Sequence, residues 1–106
     1  MIVEQIYTAG KIISNHWGYD QTNIDFYKIT KRKGNFVTLE PLKSIEKSDG
    51  ALTMTGTTIP GAPKPGGKII RRKVHTRDGK ESGIAVESYG WASLWDGQPE
   101  HYSSYA

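Results

Sequence analysis

The residues able to do chemistry are few, and most lie towards the two ends of the chain. His16, His75 and His101 are the only imidazoles, and cysteine is absent. Any metal would therefore be held by imidazole and carboxylate, ligands that suit zinc. His16 and Asp20 flank a glycine, and His101 lies in the last segment. If those segments adjoin, His16, Asp20 and His101 would form a zinc site, structural rather than catalytic in so short a chain. The spacing itself matches no zinc-binding pattern.

A metal-dependent enzyme would have to draw on the same histidines with Asp20, Asp25, Asp78, Asp96 and Glu100. Paired carboxylates can hold Mg²⁺ for phosphodiester hydrolysis, but no recognised spacing orders these. The chain has no phosphate-cradling Gly-Lys-Ser/Thr loop, no His-Glu-x-x-His helix and no nucleophile elbow. Asp78 and Asp96 each precede glycine, as turn aspartates do. The pattern favours a binding protein over an enzyme.

Two aromatic-polar segments, 17–27 and 89–105, hold all three Trp and five of the six Tyr. Large rings beside Asp, Asn and Gln bury area while offering hydrogen bonds, which suits interface anchors and equally suits the ends of a small core. The basic residues form two groups, Lys31-Arg32-Lys33 and Arg71-Arg72-Lys73, within a net charge of +3. On a strand Arg71 and Lys73 share one face and Arg72 takes the other. Such residues would bind phosphates, or else shield a strand edge from pairing.

The elements that must position these groups are strands. Helical periodicity is lacking, while β-branched and aromatic runs alternate with turn residues, among them twelve Gly and five Pro. Residues 11–17, 22–31, 36–45, 68–76 and 82–89 are expected as strands. Lys33-Gly34-Asn35 and Arg77-Asp78-Gly79-Lys80 supply hairpin turns. The Pro- and Gly-rich stretch 57–67 is expected as a surface loop. The result is a mainly β chain, one domain over residues 1–106, folded as a small antiparallel barrel or sandwich of five or six strands. The start of the chain lacks the pattern of a secretory signal, and no apolar run reaches the roughly 20 residues needed to span a bilayer, so a cytoplasmic protein is expected.

Two strings carry a resemblance: Trp17-Gly18-Tyr19-Asp20-Gln21-Thr22-Asn23-Ile24-Asp25-Phe26-Tyr27, and Ser93-Leu94-Trp95-Asp96-Gly97-Gln98-Pro99 with Tyr105 near the end. Together they resemble a family of short proteins carried by phages, plasmids and integrative elements of Gram-positive bacteria. The match covers both ends of the chain and only loosely the middle. Small proteins of such elements include inhibitors of host defence, among them anti-CRISPR proteins that bind the effector nuclease of type II systems. The resemblance thus implies a stoichiometric inhibitor, in a bacterial cytoplasm, of a type II CRISPR effector. Trp17, Tyr19, Trp91, Trp95, Tyr102 and Tyr105 would be its contacts, with Lys31, Arg32, Arg71, Arg72 and Lys73 for an acidic or nucleic-acid surface. The alternative is a nucleic-acid-binding β-barrel, and the third reading is the metal-dependent enzyme. A self-complementary aromatic patch would also support a homodimer.

Overall fold

The structure is a computed structural model that describes residues 4–17, 23–48, 50, 55–86 and 90–103. Tyr19, Asp20 and Tyr105 lie outside the described residues. Eight strands follow one another: β1 (Ile12–Trp17), β2 (Asn23–Lys33), β3 (Phe36–Ser48), β4 (Thr55–Pro63), β5 (Ile70–Arg77), β6 (Lys80–Ile84), β7 (Trp91–Leu94) and β8 (Glu100–Ser103). The two expected hairpins form on their glycines. Gly34 takes a φ of 61° between the paired Lys33 and Phe36, the backbone of a two-residue turn with glycine first. Asp78 and Gly79 both take positive φ between Arg77 and Lys80, as the mirror-image turn of an Asp-Gly hairpin requires.

Strands β2, β1, β7, β6, β5 and β3 are joined in that order, and β3 pairs back onto β2, closing a barrel of six antiparallel strands. Ile13, Ile29, Val37, Leu39, Val74, Ile84 and Ala92 point inward and fill it. The far half of β3 leaves the barrel to pair with β4, and β4 pairs with β8, so these strands make a ribbon outside the ring. Leu42 marks the junction, opposite Phe26 of β2 on one side and Pro63 of β4 on the other. A second apolar cluster of Ile24, Phe26 and Leu42, with Ile12, Trp95 and Tyr102 packed against it, joins ribbon to barrel.

The expected loop over 57–67 is corrected as far as Pro63 by β4, which runs through Pro60 and Pro63 to register with Ser44 and Leu42, and residues 64–67 form a turn as expected. Strand β8 pairs with Thr55 to Thr58, so among the described residues both prolines fall where β4 has a neighbour on one side alone. Proline is tolerated at such an edge because its missing N–H is not needed there. Strand β6 stops at Ile84 rather than running on to residue 89, and the short β7 and β8 were not expected. Among the described residues no helix is long and apolar enough to cross a membrane.

A β-bulge between Ile29 and Lys31 decides where the first basic group points. Without the extra residue, Thr30 would oppose Thr38 and Arg32 would face outward. With it, Lys31 opposes Thr38 and Lys33 opposes Phe36 on the outer face, while Arg32 opposes Val37 and turns inward. Arg32 there meets Glu81 of β6. Its Nη1 donates to Oε1 at 2.8 Å and its Nη2 to Oε2 at 2.5 Å, with side-chain exposures of 7% and 3%. Arg32 Nη1 also donates to the Tyr7 carbonyl, and the Ile6 and Tyr7 amides donate to Glu81 Oε1. This bidentate pair therefore anchors the N-terminal segment, whose Tyr7 ring is part of the barrel core.

The pair's titration has a definite sign. The Arg32 hydrogen bonds hold the Glu81 carboxyl below its ordinary value of 4.5, aided by the Tyr7 and Ile6 amides and opposed by burial. A depressed carboxylate stabilises the fold above its unfolded pKa, and that contribution is lost as pH falls through the folded value. Stability is thus expected to hold from neutral pH down to about that of a free carboxyl and to decline below it. Glu81→Gln would flatten the acid decline. Breaking the pair with Arg32→Ala is expected to cost about 3–5 kcal/mol at neutral pH, because Glu81 is left buried and uncompensated. Urea unfolding across pH checks both outcomes.

Candidate functional site

The outer face of the barrel around β3 gathers cations and rings by strand register alone. Lys33 stands opposite Phe36, and Phe36 opposite Lys73; one row along, Lys31 stands opposite Thr38 and Thr38 opposite Arg71. Phe36 is 41% exposed, and the Arg71 guanidinium lies over its ring at 4.5 Å from the centroid. That stacking orients the guanidinium while leaving its edges for hydrogen bonding. Between them Lys31, Lys33, Phe36, Thr38 and Arg71 frame a shallow depression of about 220 Å³.

Two residues beyond Lys73 on the same face of β5 comes His75, opposite Gly83 of β6. Trp91 of β7 lies across Gly83, with its ring centroid 5.5 Å from that of His75. A Cβ on Gly83 would fall 2.5 Å from the indole, so only glycine lets the ring lie this close to the sheet. Trp91 is 44% exposed. Lys31, Lys33, Arg71 and Lys73 thus share one outer face with three rings, Phe36, His75 and Trp91. Because β3 is paired on both sides at Phe36, this is a sheet face rather than a strand edge in need of shielding.

None of the family models, curated proteins or solved structures compared with the chain matches it. What the surface can bind is therefore a question for its own chemistry.

The expected contact residues divide by what they touch. Lys31, Arg71, Lys73 and Trp91 are exposed on the face just described. Arg32 leaves the set, since its guanidinium is consumed by Glu81. Arg72 turns inward as its alternation predicts, donating from Nε to the Val86 carbonyl at 2.9 Å and from Nη1 to the Arg71 carbonyl. Trp95 packs edge-on against Phe26 at 6.1 Å and donates its indole N–H to the Gln98 carbonyl, while Asp96 accepts from the Gln98 amide. The string Trp95-Asp96-Gly97-Gln98 is thus a turn that docks a core ring. Trp17 donates its indole N–H to Asp25 at 2.6 Å, and Tyr102 packs on the second cluster, both half-buried. Phe36, His75 and Gly83 were missed as contributors, and Lys33 was read in the first basic group but not among the contacts. The Gly34-Asn35 turn could have placed Lys33 opposite Phe36, but the pairing of β3 with β5 leaves no mark in the sequence.

The structure describes two of the three expected zinc ligands, His16 and His101. His16 Nε2 lies 3.5 Å from Glu100 Oε2, but His101, next along β8, faces the opposite side of the ribbon by alternation. Asp20 lies outside the described residues, among which no three metal-ligating side chains cluster. Ser14 Oγ donates to Glu100 Oε1 at 3.2 Å, which brings a hydroxyl, an imidazole and a carboxylate together. A nucleophile relay needs the imidazole between hydroxyl and carboxylate. Here the carboxylate stands in the middle and Ser14 is buried, so the cluster fastens β8 to β1 without activating the hydroxyl.

The Trp91 platform gives a direct test. Gly83→Ala is expected to lift the indole from β6, changing the near-ultraviolet circular dichroism and His75 ring-current shifts. An overpacking cost of about 1–3 kcal/mol should appear in thermal unfolding.

Proposed function

We propose that this chain is a non-catalytic binding protein that engages single-stranded nucleic acid with the outer face of its barrel. The observation that carries the reading is the register that sets Lys31, Lys33, Arg71 and Lys73 around Phe36, with His75 and Trp91 beside them. Single strands expose bases that stack on rings of any sequence, while Lys and Arg neutralise the phosphates between them. A strand lying across β3 and β5 towards β7 would meet both kinds of group. No described residue carries a base-reading motif, so recognition through backbone and stacking is the chemistry supported.

A second reading, that of a mobile-element inhibitor of a type II CRISPR effector, draws on the two strings at the ends of the chain and on exposed apolar surface elsewhere. Ile45 and Ile59 face each other across β3 and β4, Ile45 being 56% exposed, on a ribbon whose last strand β8 pairs only with β4 among the described residues. Such a surface suits a protein partner. A competitor for a nucleic-acid channel would present carboxylates to its cations. The basic face instead favours contact with the nucleic acid or with an acidic surface.

Fluorescence anisotropy with short DNA and RNA oligonucleotides separates the two readings. Single-strand affinity is expected to fall with salt at a slope of about −0.7 per neutralised phosphate. Lys73→Ala should reduce that slope by about one such increment, and Trp91→Ala should cost about 1–3 kcal/mol of affinity with little change in slope. Lack of salt-dependent binding, combined with co-elution with a type II effector and reduced target cleavage, would favour the inhibitor instead.

A further inference from the structure

The place where β3 leaves the barrel creates a second, chemically different site. The β2–β3 ladder ends at Phe26 opposite Leu42, and beyond it β3 follows β4 while Asn23 to Asp25 stay paired with β1. The strands part like a fork, and the space between holds a cleft of about 370 Å³, at the small end of the range for small-molecule sites, about 300–1,000 Å³. Asn23, Asp25 and Trp17 line its barrel side, and Glu46, Thr58 and Tyr102 its ribbon side.

Two polar groups lining this cleft lack the partners that buried groups ordinarily have. Thr58 is 2% exposed and its hydroxyl has no hydrogen-bond partner; the amide nitrogen of Asn23 is likewise buried and unpartnered. Native proteins satisfy nearly all such groups, and an orphan calls for an explanation. Other groups of the cleft are held in place. Asp25 accepts the Trp17 indole N–H, and the Tyr102 ring lies against Gly56, where a Cβ would fall 2.7 Å from the phenol oxygen.

The mixture of donors and acceptors selects the ligand. The Asn23 nitrogen can only donate, the Asp25 and Glu46 carboxylates when ionised can only accept, and the Thr58 hydroxyl can do either. A cation would answer the carboxylates, leave Asn23 unpaired and meet Lys64 at the rim. An anion would face both carboxylates. Neutral hydroxyls, each donor and acceptor on one oxygen, answer every group, and the Trp17 and Tyr102 rings offer flat apolar surface to the C–H face of a sugar ring. We propose that the fork between β2 and β3 binds a neutral, hydroxyl-rich small molecule of the saccharide class, mono- or disaccharide in size. The site is separate from the basic face and stands or falls independently of nucleic-acid binding.

The test is a titration of the ¹⁵N-labelled full chain with glucose, galactose, N-acetylglucosamine, maltose and cellobiose, followed through the Thr58 amide and the Asn23 side-chain amide. Saturable shifts with at least one sugar are expected. Thr58→Val should weaken that binding at least tenfold while the unliganded variant melts at or above the parent temperature, because the hydroxyl removed has no partner. Asn23→Leu should weaken binding likewise, and Lys73→Ala should leave it unchanged. The proposal is overturned if no sugar shifts these amides at millimolar concentration, if methylguanidinium or inorganic phosphate binds there in place of sugar, or if Thr58→Val melts below the parent.

Discussion

One extra residue in β2, the bulge between Ile29 and Lys31, sorts a run of three cations into two jobs. Strand alternation makes every residue beyond it change sides. Arg32 is thereby delivered to Glu81 inside one end of the barrel, and Lys31 and Lys33 are delivered to the outer face. The ion pair holds the N-terminal segment and its Tyr7 ring; the outward lysines complete the row with Phe36 and Lys73. A barrel without the bulge would bury two lysines and expose the arginine, losing plug and face together.

This is also where the sequence was least legible. Lys31-Arg32-Lys33 reads as one basic cluster, and composition contains no sign of a bulge. The hairpins were readable because Gly34 and the Asp78-Gly79 pair have local conformational requirements that only their turns meet. The inward turn of Arg72 was readable from alternation, since β5 has no bulge before it. Strand β4 was not, because Pro60 and Pro63 speak against a strand until one knows that β8 stops short of them. The zinc expectation was conditional on the two segments adjoining in space, which spacing along the chain does not decide. His101 sits beside Glu100, and β alternation sends the two to opposite sides.

The two aromatic-polar segments do adjoin, through the pairing of β1 with β7, the contact of Phe26 with Trp95 and the closeness of His16 to Glu100. Phe26, Trp95 and Tyr102 build the joint between barrel and ribbon. Trp95 is locked by its own turn, Trp17 by Asp25, and Tyr102 by Gly56. Among the described residues only Trp91 of these rings is left exposed, lying flat because β6 offers a glycine beneath it. The described parts of the two segments therefore hold the ribbon against β1 and β2, and the fork cleft is what that arrangement leaves between them.

Closure of the ring has a consequence in time. Strand β1 completes the barrel by pairing with β7, and the N-terminal segment is tied to Glu81 from 74 residues away at Tyr7. Neither contact can form on a ribosome until β6 and β7 have emerged, whereas the hairpins β2–β3 and β5–β6 can form as they appear. Pairings so distant along the chain slow the search for the native state, and barrels of this kind fold in milliseconds to seconds rather than microseconds. During that interval β1 and β7 are open edges, and the same strands that end as a ring without edges there begin as the places where two nascent chains could join.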